Sequence, residues 1–224
     1  MKINQIKTHY RRALPHIQPV GSAFFVTFRL HGSIPNIKLL HLKNEYEQAI
    51  AALYRNPQSL TNQLIYDERK RQFAKYDALL DHPQSGSIFL QQPKIAQIVA
   101  SELHRFDGQL YDLIAYCIMS NHVHILIDTS LQIPEMFNFS SWEGLDFEPL
   151  DKIMMRIKGA SARYCNEQLG RSGKFWQRES YDHFVRNPIE FERIIFYILE
   201  NPVKAGLVET WDAFPFTYLS GHQL

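Results

Sequence analysis

The chain has 224 residues, 45% hydrophobic and 21% charged, with 24 Lys and Arg against 23 Asp and Glu. That balance fits one soluble domain with a sizeable core and gives no sign of a polycationic clamp. No apolar run reaches the roughly 20 residues of a bilayer span, residues 1–7 lack the apolar stretch of a secretory leader, and two cysteines, Cys117 and Cys165, make no disulfide framework. The expected compartment is a reducing cytoplasm.

Residues 22–30 are aromatic and β-branched between Gly21 and Gly32, and predict a first strand. From 37 to 80 the text turns helical and charged, and Asn56-Pro57 divides it into two pieces. A turn is expected at 82–86. A helix then starts at Pro93, carries Ile95, Ile98, Val99 and Leu103 on one side, and ends near Gly108. Two strands follow at about 109–119 and 122–129, joined tightly by Ser120-Asn121 as a hairpin.

Residues 131–149, with Pro134 and Pro149, predict a loop, and 153–169 a basic amphipathic helix stopped by Gly170. A strand is expected at 179–185. Asn187 and Pro188 then cap and start a final helix, with Glu190 and Glu192 in its first turn. With 37–92 set aside as a helical insertion, the order is βαββαβ plus a terminal helix. That order predicts an α+β, ferredoxin-like antiparallel sheet with helices on one face, and a single domain over residues 1–224.

Charge is unevenly spread. Residues 1–12 carry Lys2, Lys7, Arg11 and Arg12 without an acid, and 131–150 is acidic. A basic face for phosphates and an ordinary solvated helix surface are both compatible with this pattern.

The strongest chemical signal is the run 116–127, where His122 and His124 sit one residue apart in an apolar strand. Alternate side chains share a strand face, so both imidazoles project together and form half of a metal site. Two solvated histidines at a strand end would fit the same spacing. On the last helix Tyr197 and Asn201, four residues apart, are neighbours on a polar stripe beside the apolar one formed by Phe191, Ile195, Ile198 and Leu199. A boundary tyrosine and a helix C-cap before Pro202 are equally open for that pair.

Taken in order, the segment 116–127 with Asn121-His122-Val123-His124, the segment 175–183 starting Phe175-Trp176-Gln177-Arg178, and the segment 197–208 with Tyr197 and Asn201-Pro202 resemble the REP-associated tyrosine transposases. These are a branch of the single-tyrosine HUH endonucleases, named for two histidines flanking a hydrophobic residue. Trp211 and the tail 214–218 also match, so the resemblance spans most of residues 10–220.

The resemblance implies a metal-dependent single-stranded DNA endonuclease and strand transferase acting at palindromic hairpin repeats. Tyr197 would be the catalytic nucleophile, forming a 5′-phosphotyrosine. His122, His124 and Asn201 would hold a divalent cation, Mg2+ or Mn2+, which suits mixed imidazole and amide-oxygen ligation. DNA contacts would come from Arg11, Arg12, Arg156, Lys158, Arg163, Lys174 and Arg178, with Phe175 and Trp176 stacking on bases. His183 reads as structural. The protein would be a cytoplasmic, nucleoid-associated monomer or homodimer that touches no membrane. A hairpin-binding protein that no longer cuts is the alternative, and a zinc hydrolase built on the two histidines is a third reading that lacks a convincing further ligand.

Overall fold

The computed structural model describes residues 9–11, 15–55, 61–81, 86–135, 137 and 145–221. Most of the turn at 82–86, Arg12, and much of the 131–149 loop lie outside them. The elements are β1 (His9–Arg11), β2 (Pro15–Ile17), β3 (Ala23–Arg29), α1 (Asn36–Tyr54), α2 (Asn62–Asp81), α3 (Pro93–His104), β4 (Asp112–Ile118), β5 (His122–Asp128), α4 (Leu150–Gln168), β6 (Tyr181–Phe184), α5 (Pro188–Lys204) and β7 (Thr217–Leu219). Short hairpin β1–β2 and the terminal strand β7 were not foreseen, since three residues are too few for a periodic signal.

Five strands form an antiparallel sheet in the order β6-β3-β5-β4-β7. Its first four strands have the ferredoxin-like order, and β7 extends it beyond β4. Strand β3 pairs along its full length with β5, Phe25 opposite Leu126 and Thr27 opposite His124. That register decides which side chains face which side of the sheet.

On one face Phe24, Val26 and Phe28 of β3 and Val123, Ile125 and Ile127 of β5 pack under α3 and α4. Both helices bury a stripe at helical spacing, Ile95, Ala96, Val99, Ala100 and Leu103 from α3 and Ile153, Ile157, Ser161 and Cys165 from α4. The two helices of the βαββαβ core thus share one face as expected, and the second face is covered by the terminal helix and by α2. There Phe25, Ala115, Cys117 and Leu126 meet Ile195, Ile198 and Leu199 of α5, with Phe73 of α2 packed against them. Strand β5 is apolar or buried at almost every position, the pattern of a strand enclosed on both sides.

The segment carrying α1 and α2 leaves and rejoins the sheet at one point. Gly86, at φ +114°, lies so close to Gly32 and Ser33 that an added Cβ would stand 2.6 Å from the Gly32 carbonyl oxygen, so a side chain there would clash with backbone. From that neck α1 and α2 extend, and α2 returns over the second face of the sheet. Among the described residues no helix is long and apolar enough to cross a membrane.

Candidate metal and tyrosine site

The site lies on the second face, where β5 turns its even-numbered side chains. Asn121 sits in the β4–β5 turn and donates its amide to the Leu80 carbonyl at 3.0 Å, which fixes the orientation of its carbonyl oxygen. That oxygen lies 2.6 Å from Nδ1 of His122 and can only accept. His122 therefore carries its proton on Nδ1 and presents a bare Nε2. His124 Nδ1 lies 2.7 Å from the Thr27 hydroxyl, which can accept or donate. Second partners of this kind hold ligating imidazoles in one tautomer and orientation.

The two Nε2 atoms are 2.9 Å apart. Two ligands at right angles on an ion with bonds of about 2.1 Å would be about 3.0 Å apart, so the pair fits one cation. Both histidines are completely buried. Burial drives the His122 pKa far down, with the neighbouring His124 adding to it. His124 falls to about 3, through burial first and the Lys204 charge second, against a hydrogen bond with Asn201. Neutral imidazole is the ligating form, so the donor chemistry fits a metal.

Helix α5 brings Tyr197 and Asn201 to the same place. Asn187 caps its first turn, accepting from the Glu190 N–H at 2.9 Å, with Pro188 at the first helical position. The helix runs through Pro202 to Lys204, so Asn201 is an interior residue and not the C-cap. It is 2% exposed and donates its amide to the Tyr197 backbone carbonyl at 2.9 Å. Tyr197 packs its ring against Phe25 and His124, with centroids 5.7 and 5.5 Å away. Burial, and then the adjacent Asp77 carboxylate, hold its phenol well above the usual range, so it is protonated at rest.

Asp77 of α2 is the member that sequence reasoning missed. It is 6% exposed, accepts a hydrogen bond from the Tyr197 hydroxyl, and places Oδ1 3.4 Å from His124 Nε2. Asp77, His122 and His124 each bring a ligand atom within 4.8 Å of the other two, so this buried trio could bind a metal. The same helix is clasped to α5 a second time. Glu190 receives the Tyr66 hydroxyl, lies 3.3 Å from Lys70 and 3.2 Å from His183 Nε2, and takes the Arg186 N–H at 3.1 Å. His183 belongs to this clasp and not to the metal cluster, in keeping with its structural reading.

The expected DNA contacts are rearranged. Phe175 and Trp176 are only 2% and 7% exposed and belong to the core under α3 and α4, where the Trp176 indole donates to Ser161 at 3.0 Å. Their faces are filled by protein, so stacking on bases is withdrawn. Lys158 is spent on the Gln177 and Arg178 carbonyls and the Ser180 hydroxyl at 2.8–3.1 Å. Arg156 pairs with Glu148 at 3.1 Å, and Arg163 lies against Tyr164. Helix α4 also lies across the sheet from the histidines. Lys174 and Arg178 are exposed in the loop before β6, and Arg11 closes strand β1.

Aromatic and basic groups do gather elsewhere. Between α1, α2 and β6 is a cavity of about 700 Å3 whose lining includes Arg29, Lys43, Tyr46, Arg69, Tyr76 and Tyr181. Tyr181 stacks on Phe73 at 4.1 Å, and Phe73 and Phe25 both flank Tyr197. Tyr181, and behind it Phe73 and Phe25, stand between the cavity and Tyr197.

No family model matches the sequence. A protein of Haemophilus influenzae, provisionally named a REP-associated tyrosine transposase, is 28% identical over 109 residues, covering 48% of this chain. The chain is similar to that protein over about half of its own length. The match spans 58% of that relative's length. A solved structure of a REP-associated tyrosine transposase bound to a REP hairpin superposes on 93% of this chain and 80% of its own, at 18% identity and a TM-score of 0.48.

Proposed function

We propose that the chain is a metal-dependent single-stranded DNA endonuclease and strand transferase that acts at palindromic hairpins through a 5′-phosphotyrosine. The observation that carries this reading is the convergence of the Tyr197 hydroxyl, His122, His124 and Asn201 in one buried cluster. These residues come from β5 and α5, 73 positions apart for His124 and Tyr197, and ordinary core packing does not ask for such a set. The relative in Haemophilus influenzae adds the transposase name, and the hairpin in the solved complex adds the substrate class.

His122, His124 and Asn201 would hold Mg2+ or Mn2+, as their neutral nitrogen and amide-oxygen donors suit. When bound, such an ion supplies Lewis-acid polarisation of a phosphate. The chain's own residues do the rest. Asn201, one helical turn from Tyr197, would share a helix face with the phenol, so one rigid element carries both the ligand and the nucleophile. That oxygen attacks the scissile phosphorus, the P–O3′ bond breaks, and the phenol proton is balanced by the proton gained at the released 3′-OH. One phosphodiester replaces another, so the 3′-OH can later reverse the step without ATP.

His122 and His124 are fully enclosed beneath α2 and α5, so DNA reaches them when α2 yields. The cavity beside α2 offers the stacking and charge that a single strand uses, with Lys174 and Arg178 on the same edge of the sheet. A pool of end-labelled hairpin oligonucleotides with randomised flanks tests the proposal. Cleavage is expected with Mn2+ and is expected to vanish with EDTA. Tight hairpin binding with no cleavage in Mn2+ or Mg2+ would favour the non-cleaving alternative.

A further inference from the structure

We propose that Asp77, carried by the insertion, is a ligand of the cation held by His122 and His124 in the DNA-free chain. The inference rests on the metal-dependent reading above and extends the site beyond the strand and the tyrosine helix. Three observations support it.

The first is placement. Asp77 is buried in the cluster, with Oδ1 3.4 Å from His124 Nε2, and its other oxygen is occupied by the Tyr197 hydroxyl. The second is an unmet demand. Among the described residues Asp77 Oδ1 has no hydrogen-bond partner, although it is buried. His122 Nε2 is bare because Asn121 takes its Nδ1 proton. His124 can put at most one N–H between these two acceptors, and a cation satisfies both while Thr27 takes the His124 Nδ1 proton. The third is electrostatic. A carboxylate this far from water needs positive charge, and the nearby cation is Lys204, an exposed side chain lying over the Tyr197 ring at 4.8 Å. A divalent ion among two imidazoles and a carboxylate supplies that charge inside the cluster.

The consequence concerns the insertion. Residues 37–92 look like an elaboration of the domain, yet their second helix donates a charged ligand and clasps the tyrosine helix at Glu190 as well. Cation binding then stabilises the docking of α2, because the ion binds only the docked arrangement with full affinity.

The test is Mn2+ binding to the full-length chain without DNA, by calorimetry. Asp77→Asn keeps the shape and is expected to weaken Mn2+ at least about tenfold, roughly 1.4 kcal/mol. Asp77→Cys replaces a hard oxygen by a soft sulfur, and is expected to raise the preference for Cd2+ over Mn2+ by about a hundredfold. Wild-type crystals soaked in Mn2+ need no variant, and anomalous density is expected about 2.2 Å from Asp77 Oδ1. An Asp77→Asn affinity within twofold of wild type, or a manganese more than 4 Å from Asp77, would overturn the assignment. If His124→Ala loses Mn2+ while Asp77→Asn keeps it, only the role of Asp77 fails. A wild-type chain that binds no Mn2+ would overturn this inference and the metal-dependent reading together.

Discussion

Replacing Tyr197 by Phe is expected to abolish the covalent protein–DNA adduct while leaving hairpin binding within about threefold of wild type. The substitution removes one oxygen and keeps the ring, whose contacts with Phe25, Phe73 and His124 hold α5 in place. Its structural cost is the hydrogen bond to Asp77, whose carboxylate loses a donor; an unsatisfied buried acceptor costs about 1–3 kcal/mol, more if charged. A domain with two built cores tolerates that loss, so the variant should fold and bind. Catalytically the loss is expected to be complete, because the other hydroxyl beside the histidines, that of Thr27, is held on His124 Nδ1, away from the paired Nε2 atoms. Denaturing gels of labelled hairpin with Mn2+ read the outcome directly. A Tyr197→Phe chain that still forms an adduct would show that another residue is the nucleophile.

The second large effect concerns which chain's tyrosine serves which site. A mixture of Tyr197→Phe and His124→Ala chains is expected to form no adduct above that of either variant alone. If tyrosine helices exchanged between subunits, one mixed site would combine an intact tyrosine with intact histidines, and activity would return.

Exchange is opposed at four points. Helix α5 follows β6, which pairs with β3, and precedes β7, which pairs with β4, so both ends are tied into the chain's own sheet. Along its length Glu190 is clasped by Tyr66 and Lys70, and Tyr197 by Asp77. Moving the helix to a partner would break all of these, and the packing of Ile195, Ile198 and Leu199 against the sheet, before the partner's sheet could replace them. At roughly 1.5–3 kcal/mol for each aliphatic side chain unpacked, that is a high barrier to exchange between folded chains. Restored adduct in the mixture would mean that the tyrosine acts in trans.

Much of this architecture was legible in the sequence because it rests on short-range patterns. The aromatic and β-branched run between Gly21 and Gly32 gives a strand, and the spacing of Ile95, Val99 and Leu103 gives a helix. The His122-Val123-His124 pair and the Tyr197/Asn201 pair each lie within one element, so their relative placement follows from helix and strand geometry. What was missed depends on distance along the chain. Asp77 sits in a stretch of charged helix, and its meeting with Tyr197, 120 residues away, has no local signature.

Phe175 and Trp176 show the opposite error. Their neighbours Lys174 and Arg178 made a base-stacking platform look natural, but both rings are buried, Trp176 by its contacts with Ser161 and Phe28 on other elements. The covered second face was readable in principle. Strand β5 offers Val123, Ile125 and Ile127 to one side and His122, His124 and Leu126 to the other, and a strand apolar on one side only would have exposed the histidines.

The central claim is that Tyr197 becomes linked to DNA in a reaction that needs the histidine-held cation. Mass spectrometry of the proteolysed adduct formed with Mn2+ tests it most directly. A single modified peptide is expected, carrying a nucleotide joined through its 5′ phosphate to Tyr197 and absent when EDTA is present. An adduct on another side chain such as Tyr181, a 3′-phosphate linkage, or equal yield in EDTA would contradict it.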